Sequence, residues 1–505
     1  MFILETVRKL ASTDRIAAIG DGPDLTYHDL DANSESLAAF LLDKYPGKSP
    51  IILWGDKEHD MLVGVLAALK TGRPYVMVPN YYPEKRVQQI VEGCEPCAVF
   101  FSCDEPFPCA RCDAYDKQAL QKVYADYSGN HVDPSFCVQR DDMVCLFYTS
   151  GSTGTPKGVI ITRRNIEAFV DWWYPLSNLG IEEPRMLNFT PYGFSSSIAT
   201  IYNGLGKLGC TLYAVNKKLS ANYPALLEYI FRVDPHYFDC TPSFADICLQ
   251  DERFGSQGLP SMRQLSVGGE PCPHRIALKL LDAFPDSQII NGYGATETTI
   301  GTVACDITRE MAASDLPLPI GYASPNSRCM IWDENGNELP DGETGELIIV
   351  SDMISAGYYK DPERTAQAYF VAEDGTRGYH THDLAWKKDG LIYYVGRADN
   401  MVKVGGYRVE MEEIERRLSQ VSIVEQCAVA PAMEDQRTVM LVAYVVLKPD
   451  AKKGIAAISA IKKEMAQSVQ AYMVPQKIVF LDQLPHNSND KIDRHLLREM
   501  SKITK

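Results

Sequence analysis

Apolar runs with strand character alternate with helical patterns through roughly the first 390 residues. Residues 50–55 read as a strand, residues 61–72 as an apolar helix ending at Gly72, and residues 75–79 as a second strand. Similar strand-like runs occur at 97–102, 144–150, 211–215 and 287–294. A β-α-β rhythm of this kind is typical of parallel sheets covered by helices. We therefore predict an α/β fold whose large N-terminal domain contains parallel-rich sheets.

The pattern changes near residue 330. Residues 329–351 contain Asn-Gly and Asp-Gly turns between short strands, which predicts a β-rich piece. Farther on, an amphipathic helix at 411–421, a strand pair, a helix at 458–469 and a strand at 477–482 form a compact α+β unit. We predict an N-terminal domain of residues 1–398 and a small mobile C-terminal domain of residues 399–505.

Composition narrows the classes of function. The chain has 505 residues, of which 45% are apolar and 23% charged, as in globular proteins. Its formal net charge of -16 argues against nucleic-acid binding, because little positive charge is available to neutralise a phosphate backbone. The N-terminus resembles the start of a helix rather than a signal peptide, and no apolar run approaches the length of a membrane span. We expect a cytoplasmic location.

Four of the 14 cysteines form two CxxC pairs, Cys94 with Cys97 and Cys109 with Cys112. Four thiolates at such spacing can hold a structural zinc ion. The alternative is that Cys97 is a buried strand residue and the others lie on a loop. We favour this alternative, with reduced thiols, because nothing else in the sequence requires zinc.

The strongest chemical signal is a loop between two predicted strands, from Tyr148 to Gly158. Backbone N–H groups, hydroxyls and one lysine in such a loop can surround a phosphate chain. The spacing of glycine and lysine differs from that of a Walker A loop. The candidate phosphate ligands are Thr149, Ser150, Gly151, Ser152, Thr153, Gly154 and Lys157.

These residues, with further motifs in the same order, resemble the adenylate-forming superfamily of acyl-CoA synthetases, luciferases and adenylation domains of nonribosomal peptide synthetases. The resemblance covers nearly the whole chain. The other matching segments are 25–30, 69–75, 291–299, 345–347 with 357–358, 379–383, 396–399 and 489–493.

The resemblance implies that the enzyme uses ATP and Mg²⁺. Asp383 would accept both ribose hydroxyls, and Arg397 would contact ribose or phosphate. Thr296 would bond the α-phosphate, Tyr293 would pack on adenine beside Asn291 and Gly292, and Glu297 would hold Mg²⁺. Lys491 would offset the charge that builds during adenylation. Asp399 matches the hinge about which the C-terminal domain rotates, and residues 403–406 would then face the site in the second step.

Within this superfamily the chain is most similar to stand-alone D-alanine–carrier protein ligases, through residues 169–172, 240–244 and 269–270. That likeness implies adenylation of a carboxylic acid and transfer of the acyl group to the phosphopantetheine thiol of a separate carrier protein. An acyl- or aryl-CoA ligase that uses free CoA stays open. So does a non-catalytic ATP-binding protein, although Lys157, Glu297, Asp383 and Lys491 argue against it.

The predicted acid pocket departs from this template. Relatives that activate amino acids carry an aspartate for the α-ammonium where this chain has Ser195, and a serine cannot balance a buried charge. Asp239 could instead bind an amine displaced from the α-carbon, or it could cap a turn. An α-amino acid, a β- or otherwise displaced amino acid, and an aryl acid all stay open, with an amino acid favoured. The pocket positions are Phe194, Ser195, Ser196, Ala199, Asp239, Ser266, Gly268, Gly269, Gly292, Ile300 and Gly301.

Overall fold

The computed structural model of the chain describes residues 1–149, 156–397, 401–434, 437–485 and 492–502. Its strands are β1 Ile16–Ile19, β2 Leu25–Thr26, β3 Ile51–Gly55, β4 Tyr75–Pro79, β5 Ala98–Phe100, β6 Asp113–Tyr115, β7 Met143–Thr149, β8 Lys157–Thr162, β9 Arg185–Asn188, β10 Thr211–Ala214, β11 Tyr237–Cys240, β12 Gln264–Gly268, β13 Gln288–Tyr293, β14 Val303–Asp306, β15 Tyr322–Ala323, β16 Ser327–Trp332, β17 Gly345–Ser351, β18 Tyr369–Val371, β19 Arg377–Lys388, β20 Leu391–Arg397, β21 Met401–Val404, β22 Tyr407–Glu410, β23 Val424–Glu434, β24 Arg437–Leu447 and β25 Lys477–Phe480.

Helices cover both larger sheets. They are α1 Phe2–Leu10, α2 Tyr27–Lys44, α3 His59–Thr71, α4 Glu84–Cys94, α5 Lys117–Asp126, α6 Arg163–Ser177, α7 Lys217–Ser220, α8 Tyr223–Val233, α9 Pro242–Cys248, α10 His274–Ala283, α11 Arg309–Ala313, α12 Pro362–Ala368, α13 Met411–Leu418, α14 Ile455–Ala466 and α15 Arg494–Met500. A π-helix spans Ala199–Leu208, and short 3₁₀ helices span Pro134–Phe136, Thr296–Thr298 and Ala471–Met473.

Three sheets precede residue 398. A six-stranded sheet has the order β6-β5-β3-β4-β7-β8, and a nine-stranded sheet has the order β15-β14-β13-β12-β11-β9-β10-β1-β2. Strands β13, β12, β11, β9, β10 and β1 run parallel to one another. The third sheet is antiparallel and contains β16 to β20. The predicted α/β class, with parallel-rich sheets and a β-rich piece, is confirmed.

The unit β3–α3–β4 shows why the sequence folds in this way. Strands β3 and β4 are fully buried and pair in parallel, as their continuous apolar runs predict. The connecting helix α3 ends at Gly72, which adopts a left-handed conformation with φ of 60°. Glycine tolerates this conformation at little cost, so the helix stops there and the chain turns back into β4.

The C-terminal part has its own sheet, β22-β21-β24-β23 with β25 beside β24, and its own apolar cluster around Ile414, Leu441 and Ile461. Helices α13 and α14 and strand β25 agree with the predicted elements. Strand β20 ends at Arg397 and β21 begins at Met401. The predicted boundary at 398/399 therefore falls between described residues and stays a prediction, as does the hinge at Asp399.

Candidate active site

A cavity of about 520 Å³ lies where parallel strands of the nine-stranded sheet end. Tyr293, Gly268 and Cys240 close β13, β12 and β11, and all three line it. Carboxyl ends of parallel strands meet at one edge of a sheet, which is the usual position for a ligand site in an α/β fold. The third sheet and the β21–β22 hairpin supply further walls, including Asp383 and Arg408.

One end of the cavity is built around Asp383, on β19. Its two carboxylate oxygens accept hydrogen bonds from the Tyr293 hydroxyl and from Arg397 Nη1, the latter at 2.8 Å. Arg397 also donates to the Thr381 carbonyl at 3.1 Å. Burial and the adjacent Asp383 charge raise the pKa of Tyr293 well above its usual value, so its proton stays in place. Each Asp383 oxygen keeps a lone pair, which suits hydroxyls of a bound ribose.

Glu297 forms a second charged centre and is completely buried. Arg408 Nη1 lies 2.9 and 3.0 Å from its two oxygens, Lys157 Nζ lies 3.2 Å from Oε1, and the Tyr358 hydroxyl donates at 3.0 Å. Burial alone would raise the pKa of Glu297, but Arg408 and Lys157 outweigh it and hold that pKa well below its usual range. The carboxylate is therefore ionised and already surrounded by donors.

This arrangement decides how Mg²⁺ fits. Within the described ranges, no cluster of three or more His, Cys, Asp or Glu side chains could hold a metal by itself. Glu297 is the right kind of ligand, because Mg²⁺ prefers carboxylate oxygens together with phosphate and water. Both of its oxygens accept hydrogen bonds from Arg408, however. Glu297 would therefore fit the metal in an arrangement that places Arg408 elsewhere.

A pocket of small residues lies beside these centres, and the structure brings the predicted acid-binding positions together there. Every predicted position lines the cavity: Phe194, Ser195, Ser196, Ala199, Asp239, Ser266, Gly268, Gly269, Gly292, Ile300 and Gly301. The Ser195 hydroxyl donates to the Thr296 hydroxyl at 3.3 Å. Ser195 thus links the pocket to the predicted α-phosphate ligand and supplies no charge.

Asp239 lies on β11 in the same pocket and pairs in register with Ser266 of β12. Ser266 precedes Gly268, the last residue of β12, by two residues, or about 7 Å, so Asp239 lies farther from the strand ends than Gly268 does. Burial raises the pKa of Asp239 to about 6, and the nearby Ser266 hydroxyl offsets this only in part. The helix that follows, α9, is capped by Thr241, whose hydroxyl accepts from Phe244 N–H, so among the described residues Thr241 and not Asp239 is the cap. A carboxylate in this position suits a cationic group of a ligand.

Comparison with known proteins identifies the family of the chain. Residues 6–359 match the family described as AMP-binding enzyme, and residues 413–491 match the AMP-binding enzyme C-terminal domain. The chain belongs to the AMP-binding enzyme family. As a member of this family it is a ligase that uses ATP and forms AMP.

Named relatives match the chain over almost its full length. It is 36% identical over 485 residues to the D-alanine–D-alanyl carrier protein ligase of Listeria monocytogenes, with 94% of each chain covered. It is 35% identical over 511 residues to the ligase of the same name from Lactiplantibacillus plantarum, with 99% of each covered. The Vibrio cholerae adenylation domain AlmE, solved with glycyl-adenosine-5′-phosphate, superposes with a TM-score of 0.83 at 21% identity, covering 99% of this chain and 96% of that one, and shows the same fold.

The C-terminal part of this AMP-binding enzyme reaches the cavity through the β21–β22 hairpin. The Gly405–Gly406 turn, Lys403 and Arg408 line the cavity, and Tyr407 packs edge-on against Phe194 with ring centroids 4.9 Å apart. Lys403 Nζ lies 5.6 Å from the centre of the Tyr293 ring. Arg408 was not predicted from the sequence. Its position two residues after the Gly405–Gly406 turn, at the start of a predicted mobile domain, was the available signal.

Some of the remaining predicted nucleotide ligands line the cavity and others do not. Thr149, Gly292, Tyr293 and Thr296 line the cavity, whereas the buried Asn291 donates to the Pro319 carbonyl at 2.8 Å and is not among the lining residues. Lys157 is paired with Glu297 and is not among the lining residues. Ser150, Gly151, Ser152, Thr153, Gly154, Asp399 and Lys491 lie outside the described residues.

The cysteines of the CxxC pairs lie apart from this site. Cys94 is the buried last residue of α4, which corrects the expectation that it lies on a loop, and Cys97 is only half-buried, just before β5. Cys94, Cys109 and Cys112 join one apolar cluster with residues of β3, β4 and β5. Burial raises the pKa of Cys94 to about 12, which disfavours the thiolate that zinc requires. No helix of the described chain is long and apolar enough to cross a membrane.

Proposed function

We propose that this AMP-binding enzyme adenylates an amino acid whose amine is displaced from the α-carbon, and transfers the acyl group to the phosphopantetheine thiol of a separate carrier protein. The observation that carries the choice of acid is Asp239. Among described residues that line the cavity, the acidic side chains are Asp239 and Asp383, and Asp383 is paired with Arg397. We therefore assign Asp239 as the acidic side chain that binds a substrate cation.

The depth of Asp239 favours a β-amino acid or one with a more distant amine. The position that holds an α-ammonium in amino-acid-activating relatives is Ser195, which here is neutral and bonded to Thr296. A cation bound by Asp239 instead would lie near Ser266, below the level of Gly268 and Gly292. The small side chains around Asp239 leave room for the longer carbon chain of such an acid.

Transfer to a carrier is supported by the relatives, which are named as carrier protein ligases. Free CoA offers a thiol on the same kind of arm and is the alternative acceptor. Measuring AMP release with the preferred acid and either CoA or a holo-carrier protein separates the two. Faster turnover with the carrier is expected, and full turnover with CoA alone would overturn the carrier assignment.

We further propose that Glu297 holds Mg²⁺ during adenylation, and that the described arrangement belongs to the second half-reaction. The support for this is Arg408, which occupies both oxygens of Glu297 from the C-terminal side. The Gly405–Gly406 turn, which was expected to face the site in the second step, lies at the cavity wall. Ile492, the residue after Lys491, packs in a cluster of C-terminal residues around Val442 and Tyr444.

Arg408→Ala is expected to slow acyl transfer by about tenfold or more while lowering ATP–pyrophosphate exchange much less. Removing the guanidinium leaves the buried Glu297 charge with one fewer cation when the hairpin is in place, which disfavours that arrangement. Rapid-quench measurement of each half-reaction checks this. Lys452→Ala, at an exposed position of the same domain, is a control that should change both rates little, and an equal loss of both steps in Arg408→Ala would contradict the proposed role.

A further inference from the structure

Glu270 connects the N-terminal part of the enzyme to the hairpin turn. It follows the β12 end and is 6% exposed. Glu270 Oε2 accepts from Ser243 N–H at 3.3 Å and from the Ser243 hydroxyl at 2.5 Å, while Oε1 accepts from Gly406 N–H at 2.9 Å. One buried carboxylate thus binds both its own domain and the turn of the other.

The backbones approach closely at the same point. Gly269 and Gly406 both have positive φ, 83° and 79°, and a Cβ built on Gly269 would lie 3.6 Å from Gly406 Cα. A Cβ on Gly406 would lie 2.7 Å from Thr241 Cγ2. Only a glycine turn can come near enough for its N–H to reach Glu270 without displacing Thr241.

A second contact reinforces the first. In the C-terminal sheet Val404, which precedes the Gly405–Gly406 turn, pairs in parallel with Thr438, the residue after Arg437. Arg437 is 5% exposed, and its Nη1 donates to the Ser243 hydroxyl at 3.1 Å. Glu270 therefore accepts a hydrogen bond from the turn directly, and the Ser243 hydroxyl links it to Arg437.

Resting on the proposed function, we infer that Glu270 is a positioning residue for acyl transfer, which holds the hairpin in place after adenylation. The donors that the described residues give to this carboxylate come from Ser243 and Gly406. When the hairpin leaves, Glu270 loses the Gly406 donor, and a buried carboxylate short of donors is unfavourable. Glu270 thus favours the transfer arrangement without touching ATP or the acid.

The test compares the two half-reactions in Glu270→Ala and Glu270→Gln. With pantetheine as the thiol, we expect Glu270→Ala to transfer the acyl group at least about tenfold more slowly, with near-normal ATP–pyrophosphate exchange. Glu270→Gln should recover most of the rate, because its amide oxygen still accepts from Gly406 N–H. Gly406→Ala should reproduce the transfer defect from the other side of the contact.

Two further measurements distinguish positioning from stability. Fluorescence energy transfer between labels at the exposed Val371 and Ile455 should change in Glu270→Ala and return in Glu270→Gln. Glu35→Gln is the matched control, since Glu35 is a buried carboxylate that accepts from Val132 N–H and Lys70 within the N-terminal part. It should lower Tm without a selective transfer defect.

The outcomes separate this inference from the proposed function. Wild-type enzyme that shows no acid-dependent exchange would defeat the proposed function itself. Normal exchange in every variant together with wild-type transfer in Glu270→Ala would overturn only the role of Glu270. An equal fall of both half-reactions in Glu270→Ala would also overturn it.

Discussion

Lys491→Ala is expected to lower acid-dependent ATP–pyrophosphate exchange by about a hundredfold or more, while transfer from preformed acyl-adenylate continues near the wild-type rate. A positive charge at the reacting carboxylate and α-phosphate stabilises the charge that builds in the transition state, and loss of such a group costs about 3–4 kcal/mol. Transfer should be spared because the resemblance implies a role for Lys491 in the adenylation step. Exchange of labelled pyrophosphate and single-turnover transfer measure the two steps separately.

Lys502→Ala provides the control for Lys491→Ala. Lys502 is an exposed lysine of the same domain, paired with Glu499, and its loss should leave both half-reactions unchanged. If Lys491→Ala slowed transfer as much as exchange, the assignment of Lys491 to the first step would be wrong.

Asp239→Asn is expected to raise the KM of an amine-bearing acid by more than about a hundredfold in the exchange assay. The neutral amide leaves the substrate ammonium buried without a counter-charge, which costs about 3–5 kcal/mol. Acids without an amine should be affected far less. Unchanged KM values for all acids in Asp239→Asn would show that Asp239 does not bind an amine.

The pH profile gives an independent check on the same residue. Burial raises the pKa of Asp239 to about 6, so the carboxylate of the free enzyme becomes protonated as pH falls through that value. At pH 5 about nine tenths of it would be neutral, and the KM for the amine-bearing acid should be about tenfold higher than at pH 7.5. This increase should disappear in Asp239→Asn. Ser195→Asp is the matched gain-of-function variant, and it should improve use of α-amino acids.

The sequence predicted the α/β class and the strand–helix–strand units, because each depends on local signals. The acid-pocket positions came from the resemblance to the adenylate-forming superfamily, and all of them line the cavity. Gly72 ends α3 where its conformation demands, and β3 and β4 are buried as their apolar runs indicate. Asp383 and Arg397 meet because they are register partners on β19 and β20, and Tyr293, the last residue of β13, reaches Asp383 from the nine-stranded sheet.

What sequence reasoning missed depends on contacts between distant segments. Arg408 reaches Glu297 across 111 positions of the chain, and Gly406 reaches Glu270 across 136. No local sequence pattern indicates such pairs, because the contacts form only when the C-terminal hairpin packs against the N-terminal cavity. Asn291 also has a partner that its motif does not indicate: its side-chain amide donates to the Pro319 carbonyl.

The proposal that this enzyme adenylates an acid with a displaced amine is tested most directly by ATP–pyrophosphate exchange across a panel of acids. The panel contains α-amino acids including D-alanine, β- and more distant amino acids, and aryl acids. We expect exchange to be fastest with a β- or more distant amino acid and to depend on Asp239. Fastest exchange with an α-amino or aryl acid, unaffected by Asp239→Asn, would contradict it.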